Sequence, residues 1–477
     1  MVNHRVTNVI PNNPQCARLC AISGLSVVLP NSTAYVATES TYWSLQEASL
    51  APSCIVKPQT SGDVTQIISQ ITGKSECQFA IKSHGHAPAA GFANIDHGVT
   101  IDMTGLNTVE ISDDGLVASA GTGASWLDVY DFLDPFNKTV AGGRNGAVGV
   151  GGLTVGGGIS YFSPQVGFTC DTVVNFEVVL ASGKLVNANA TSHSDLFHAL
   201  KGGLNNFGVL TRIDFNTLPI GEILGGHLIN NITYRGAVFD ALASLAGAEE
   251  YDVYASIVTT LIFNSVTKAW TLLSAPIYTK PDPSPPVYQE LFAVPSISNT
   301  VQLTPLHVLA NESAPAQANQ LFSTATYGVS AQLLGRIFDI CNETFVESTI
   351  PGKVQWILGF EPLPKPFVSR GAHKNVLGTS PRDGNSMILL FSVSWSDVGS
   401  SSLVRDTVEE TLCKINAIAK EMGLLRDFVY ANYADVWQKP IASYGTENLD
   451  FLQKVANKYD PHGVFQRQAP GGFKLRK

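Results

Sequence analysis

Two imidazoles two residues apart, His84 and His86, follow the apolar run Phe79-Ala-Ile-Lys82. That run reads as a strand, so the pair sits where a strand ends and a turn begins. Histidines in such a place can ligate zinc or iron, or serve structure alone. A metal site needs further ligands at comparable strand ends. His193 and His198 fall on or beside an expected helix, the other histidines are scattered, and Cys16-x3-Cys20 matches no zinc template, so no metal is expected. Glycine is dense nearby. Three glycine-rich turns border strands: 83–86, 142–158 with nine glycines in 17 residues, and 202–208. Glycine permits positive φ and close approach of backbone to a ligand, and arrays of backbone N–H groups hold pyrophosphate. Together the turns point to a large phosphate-containing cofactor spread over several loops. Tight turns of a β-rich domain are the plainer alternative.

The standard nucleotide signatures fail. Gly149-x-Gly151 is followed by Thr154, and Gly156-x-Gly158 by Tyr161, where a dinucleotide fingerprint needs glycine. Gly73-Lys-Ser75 has Ile68 where a P-loop needs its first glycine. No Gly-x-Ser-x-Gly elbow occurs, which removes the simplest hydrolase reading.

The elements that must position these residues are legible in outline. Residues 1–50 read as a polar lead-in. A strand at Ile55-Val56, a helix from Ser61 or Asp63 to Ile71, and the strand Phe79–Lys82 follow. Val99–Asp102, Leu116–Ala120 and Val173–Leu180 read as strands. Ser125 with Asp128 at the third position opens a helix to Phe132, and Ser194–Leu200 reads as a short helix. After about residue 220 glycine thins, and longer patterns appear. Met387–Trp395 is an expected strand and Asp406–Met422 an expected amphipathic helix. The simplest division is 1–220, with a core at about 48–219, then 221–424, then 425–477.

The chain has 477 residues, more than one hydrophobic core usually supports, so two domains are expected. Hydrophobic residues make 44%, charged residues 14%, and the net charge is −9, which argues against nucleic acid or an anionic membrane as partner. No apolar stretch is long enough to span a bilayer. Four of the seven cysteines lie in the first 77 residues, so a disulfide is expected there, and the odd count leaves a thiol free. Six glycosylation sequons begin at Asn31, Asn137, Asn189, Asn231, Asn311 and Asn342. Met1-Val-Asn-His-Arg5 has no apolar signal core. Cysteines and sequons point to a secretory route, with an intracellular protein as the alternative.

The run from Phe79 through Ser-His-Gly-His86 and Ala-Pro-Ala-Ala-Gly-Phe-Ala-Asn-Ile to Asp96, with Val99–Asp102 behind it, resembles the first flavin loop of the berberine-bridge-enzyme-like oxidases. These belong to the vanillyl-alcohol-oxidase, or PCMH-type FAD-binding, superfamily; the likeness is strongest to fungal members. Val148–Ser160 resembles the second FAD loop. Asp171–Leu180, Leu196–Gly203 and Asn206–Arg212 continue in order. Asn432-Tyr-Ala-Asp435, Tyr444-Gly, Tyr459-Asp-Pro461 and Val464-Phe465 resemble the family's C-terminal return. The resemblance covers about 45–475.

It implies an α+β fold: a PCMH-type FAD-binding domain of two α/β subdomains, and a substrate domain with an antiparallel sheet covered by helices. His86 takes the position that bonds the flavin covalently. Many relatives add a second link through a cysteine; Asn145 stands there, so a single link is expected. The cofactor would be held by Ser83, His84, Gly85 and Ala87, by Asn145, Val148, Gly149, Gly151, Gly152, Thr154, Gly157 and Gly158, by Phe207, Gly208 and Val209, and by Asn432. His84 departs from the family's usual glycine. Val148 stands beside the oxygen-reactive flavin carbon, as in the oxidases. Tyr433 is the candidate base, a phenol whose pKa would have to fall from about 10. Relatives with a glutamate base carry it where Ile388 stands, so that base is absent. Glu361 either faces the same cavity or, as the favoured reading, faces solvent.

The expected reaction is hydride removal from an alcohol, amine or C–H centre of a small secondary metabolite, with dioxygen reoxidising the flavin. The protein would be a monomer or homodimer. Two alternatives remain: a redox-neutral isomerase or cyclase on the same scaffold, and a metal-dependent hydrolase.

Overall fold

A computed structural model describes residues 13–72, 77–311 and 317–475. The chain start, the Gly73-Lys-Ser75 run and the second half of the Asn311 sequon lie outside them. Short apolar runs broken by polar turns make the first sheet. Cys54–Lys57, Val99–Asp102 and Phe79–Lys82 lie parallel, and Ser26–Val28 pairs antiparallel with Cys54–Lys57. Parallel strands need a crossover, and helix Ser61–Thr72 makes the first one. Its stripe of Val64, Ile67, Ile68 and Ile71, spaced for one helix face, is fully buried.

The second sheet has five antiparallel strands in the order Val109–Ile111, Val117–Gly121, Val209–Asn216, Val173–Val179 and Leu185–Asn189. Helix Trp126–Leu133 starts on the expected capping box. Asp128 N donates to Ser125 Oγ at 3.1 Å, and Ser125 N donates back to the Asp128 carboxylate at 2.8 Å. Helix Ser194–Leu200 has the expected bounds.

Ten antiparallel strands between Ile223 and Arg426 form the third sheet among the described residues. Its centre is Ala255–Asn264, Val354–Leu363, Ser386–Trp395 and Asn319–Gly328. Side chains alternate strictly, as a pleated strand requires. Trp356, Leu358, Phe360, Leu389 and Phe391 join a core with Leu333, Ile337, Val408 and Leu412 of helices Ala331–Glu347 and Ser401–Glu421. The second helix begins five residues before the expected Asp406, because Ser401–Arg405 continue its turns. The opposite face of the sheet looks toward the two smaller sheets. No helix among the described residues is long and apolar enough to cross a membrane.

The polar lead-in is a correction. From Asn13 onward it folds into helices Pro14–Cys20, Thr33–Glu39 and Leu45–Ala48. Cys16 and Cys54 form the expected disulfide. The polar side chains serve other segments' backbone rather than solvent. Glu47 is fully buried and accepts from Gly91 N at 3.1 Å and Ala93 N at 2.6 Å. Tyr42 donates its hydroxyl to Ala93 O at 3.0 Å. Gln46 exchanges two hydrogen bonds with the backbone of Gln320, at 2.8 and 3.0 Å. The lead-in therefore clamps the 83–96 loop on one side and the large sheet on the other.

Burial pushes the Glu47 carboxyl up to about 7, against the pull of its backbone donors. A carboxyl raised on folding contributes most below its unfolded value, and that contribution fades as pH rises through the folded one. Glu47→Ala should cost about 2–3 kcal/mol at pH 5 by orphaning two buried N–H groups. The gap to the parent should narrow by pH 8, read from urea unfolding at both pH values. An equal gap at both would show that Glu47 is ionised throughout.

Candidate active site

A cavity of about 550 Å³ lies between the smaller sheets and the open face of the large one. That is within the range of about 300–1,000 Å³ typical of cofactor and ligand sites. Its floor is the 83–88 turn, the glycine run from Arg144 to Val155, and Asn205, Gly208 and Leu210. Its roof is the large sheet's alternate face, including Ser256, Val258, Thr260, Leu273, Leu390 and Phe322. Tyr430–Ala434 and Gly472–Phe473 close the sides.

Strand Phe79–Lys82 delivers the histidine turn. Gly85 has φ +67°, and a Cβ there would come within 2.6 Å of the Tyr42 ring, so only glycine fits. Ser83 Oγ donates to Thr122 O at 2.6 Å, and the His84 ring bonds Gly123 O at 3.0 Å through Nε2. His86 keeps part of its ring on the cavity while its face stacks on Trp43, centroids 4.6 Å apart and planes at 12°. Burial pushes this imidazole down to about 4, so it is neutral at ordinary pH.

The glycine run folds into helix Val150–Val155 with Gly149 as its N-cap, an element not expected from the sequence. A Cβ on Gly149 would collide with Ser83, whereas one on Gly152 would meet nothing within 4 Å. The wall at Gly149, Gly151 and Gly152 is thus bare backbone. This fits the phosphate and ribityl parts of a dinucleotide better than a compact substrate.

Opposite stands a charged cluster. Arg144 Nη2 donates to Glu361 Oε1 at 2.8 Å and to Tyr433 Oη at 2.6 Å; Tyr433 Oη donates to Glu361 Oε1 at 3.0 Å. Glu361 is only 3% exposed, which corrects the solvent-facing reading. Strand alternation turns it to the cavity face, and it is the cross-strand partner of Ile388. The expected low phenol pKa is also corrected. Burial raises Tyr433 well above its ordinary value and Glu361 raises it further, although Arg144 pulls it down. Glu361 Oε2 is buried with no hydrogen-bond partner among the described residues. Arg144 was not anticipated; its one signal was a lone cation inside a glycine run. Trp43 was hidden in the polar lead-in.

Of the expected cofactor contacts, Ser83, His84, Gly85, His86, Ala87, Asn145, Val148, Gly149, Gly151, Gly152, Gly208 and Asn432 all line the cavity. Five do not. Thr154 turns its hydroxyl to Val150 O at 2.7 Å. Gly157 and Gly158, at φ +108° and +82°, turn the chain off the helix against Leu377, Leu153 and Thr169. Phe207 and Val209 are fully buried in the core. Asn432 ties the C-terminal return to the run by donating to Leu153 O at 3.0 Å.

A family model described as an FAD binding domain matches residues 52–189. The chain is 34% identical over 453 residues to the FAD-dependent monooxygenase drtC of Aspergillus calidoustus, covering 93% of this chain and 86% of that protein. Its fold is similar to that of 6-hydroxy-D-nicotine oxidase from Arthrobacter nicotinovorans, with a TM-score of 0.78 at 18% identity, over 94% of this chain and 97% of the other. It is similar also to glucooligosaccharide oxidase from Acremonium strictum, described with a 6-S-cysteinyl, 8α-N1-histidyl FAD; there the TM-score is 0.76 at 20% identity, over 95% and 98% of the two chains.

Arg144→Met would leave a buried carboxylate without its counter-ion and should cost about 3–5 kcal/mol. Adding Glu361→Gln should recover much of that loss. Urea unfolding of the parent, both single variants and the double variant forms the cycle. Strictly additive costs would contradict the coupling.

Proposed function

This chain belongs to the family of its FAD-dependent monooxygenase relative, and on that premise we propose that it is a berberine-bridge-enzyme-like oxidoreductase that oxidises a small secondary metabolite by hydride removal. In this reading residues 1–220 with 425–477 carry the cofactor, and 221–424 cover the substrate. The observation that carries the reading is the Arg144–Glu361–Tyr433 cluster on the cavity that His86 also borders. Bound FAD supplies a two-electron acceptor, and dioxygen takes the electrons on. His86 holds it by one covalent bond, because Asn145 offers no thiol for a second. Ser83, Gly149, Gly151 and Gly152 bring backbone and hydroxyl groups to its phosphates.

The chain's own chemistry is proton removal. Glu361 is the acceptor, with Arg144 Nη2 paired to it at 2.8 Å. Tyr433 already donates its hydrogen to Glu361, so it positions a substrate hydroxyl or amine and relays its proton rather than acting as a phenolate. The apolar roof, with Val258, Leu273, Leu390 and Phe322, excludes water from the reacting carbon. The Cys16–Cys54 disulfide supports folding in an oxidising compartment.

Acid-precipitated protein should retain its flavin on the peptide containing His86, and His86→Ala should release it all to the supernatant. Glu361→Gln should slow substrate-driven flavin reduction about 10²–10⁴-fold. Each product should appear with one hydrogen peroxide. Product without oxygen uptake would mean redox-neutral chemistry, and ¹⁸O from labelled dioxygen in the product would mean oxygen insertion.

A further inference from the structure

We propose that Trp43 is the positioning residue for covalent flavin attachment, holding the plane of the His86 ring so that one ring edge faces the cavity. The inference rests on the covalent reading of His86. Two things can fix an imidazole: a hydrogen bond at a ring nitrogen, or a partner against its face. His84 has the first, at Gly123 O. His86 has the second. Its ring bonds only its own backbone, and no other residue's side chain hydrogen-bonds it among the described residues, while the Trp43 indole lies nearly parallel at 4.6 Å and 12°.

Trp43 is itself fixed on three sides. Its backbone N–H donates to Gly85 O at 3.1 Å, inside the turn it supports. Its ring meets Phe322 of the large sheet at 5.0 Å. Its neighbour Tyr42 fills the space a side chain at position 85 would take. Trp43 does not itself line the cavity. It stands behind the His86 ring and acts through it.

Attachment replaces one hydrogen of the imidazole N–H and one of the flavin 8α-methyl group by an N–C bond. Two electrons and two protons pass to the flavin and then to dioxygen, so each link yields one hydrogen peroxide. Such a bond demands a ring held in line with the methyl carbon, and a misplacement of about 1 Å costs on the order of a hundredfold in rate.

The test uses holoenzyme isolated at intervals after expression begins and acid-quenched at once. Flavin measured on the His86 peptide and in the supernatant then gives the attachment rate relative to total flavin. Trp43→Phe keeps an aromatic face and should attach within a few-fold of the parent rate. Trp43→Leu keeps apolar bulk without that face and should attach about a hundredfold more slowly. Total flavin per chain and the unfolding midpoint should stay near the parent values for both. Equal rates in the Phe and Leu variants, or a slow rate in both, would overturn the role of the Trp43 ring. A parent that releases all its flavin on acid quenching would overturn the covalent reading instead.

Discussion

Glu361 has 3% of its surface exposed, and Arg144 lies 2.8 Å away as its ion-pair partner. Removing a carboxylate from water costs several kcal/mol, which only a close and well-made counter-ion offsets. That requirement ties together parts of the chain that share no sheet. Arg144 comes from the glycine run, Glu361 from the centre of the large sheet, and Tyr433 from the return segment. The cluster therefore exists only when all three are docked. A buried ion pair adds little net stability compared with apolar residues of equal size. What it does here is bring a carboxylate, a guanidinium and a phenol together on one cavity wall.

The histidine turn is held by the opposite strategy. It has a neutral ring, and its support comes from packing and backbone hydrogen bonds. The first fifty residues supply both. Trp43 stacks on His86, Tyr42 forces glycine at position 85, and Glu47 gathers the N–H groups of Gly91 and Ala93. The same segment bonds Gln320 through Gln46, so the turn and the roof are positioned by one piece of chain. The Cys16–Cys54 bond anchors the start of that piece to the first sheet.

Much of this was legible in the sequence because the relevant signals are local. Strand Phe79–Lys82, the capping box at Ser125 and the helix Ser194–Leu200 depend on residues within a few positions of each other, and the structure has them where spacing puts them. The glycine turns were legible because some of their glycines, such as Gly85 and Gly149, stand where a Cβ would collide. Other features depend on burial and could not be read locally. The lead-in looked polar because its polar atoms are counted without knowing that Gly91 or Gln320 would satisfy them. The phenol's pKa looked free to fall because its burial, and the carboxylate that accepts its hydrogen, could not be read locally. Thr154, Gly157 and Gly158 sit among cofactor-facing residues in sequence. Helix Val150–Val155 turns Thr154 inward, and Gly157 and Gly158 take the chain off its end, away from the cavity.

The carboxylate itself is the sharpest case. The family resemblance puts a glutamate base at the position of Ile388, and on that reading alone the expectation is that no carboxylate faces the cavity from this sheet. In an antiparallel sheet, though, residues directly opposite each other on neighbouring strands point to the same face, with Cβ atoms about 5 Å apart. Glu361 is the partner of Ile388 across one such pair. Glu361 therefore shares a face of the sheet with Ile388 while standing 27 residues away in the chain. Linear comparison misses such a neighbour because it does not see the sheet register. Here the register places the carboxylate 3.0 Å from the Tyr433 hydroxyl of the return segment, so both polar groups share one wall of the cavity.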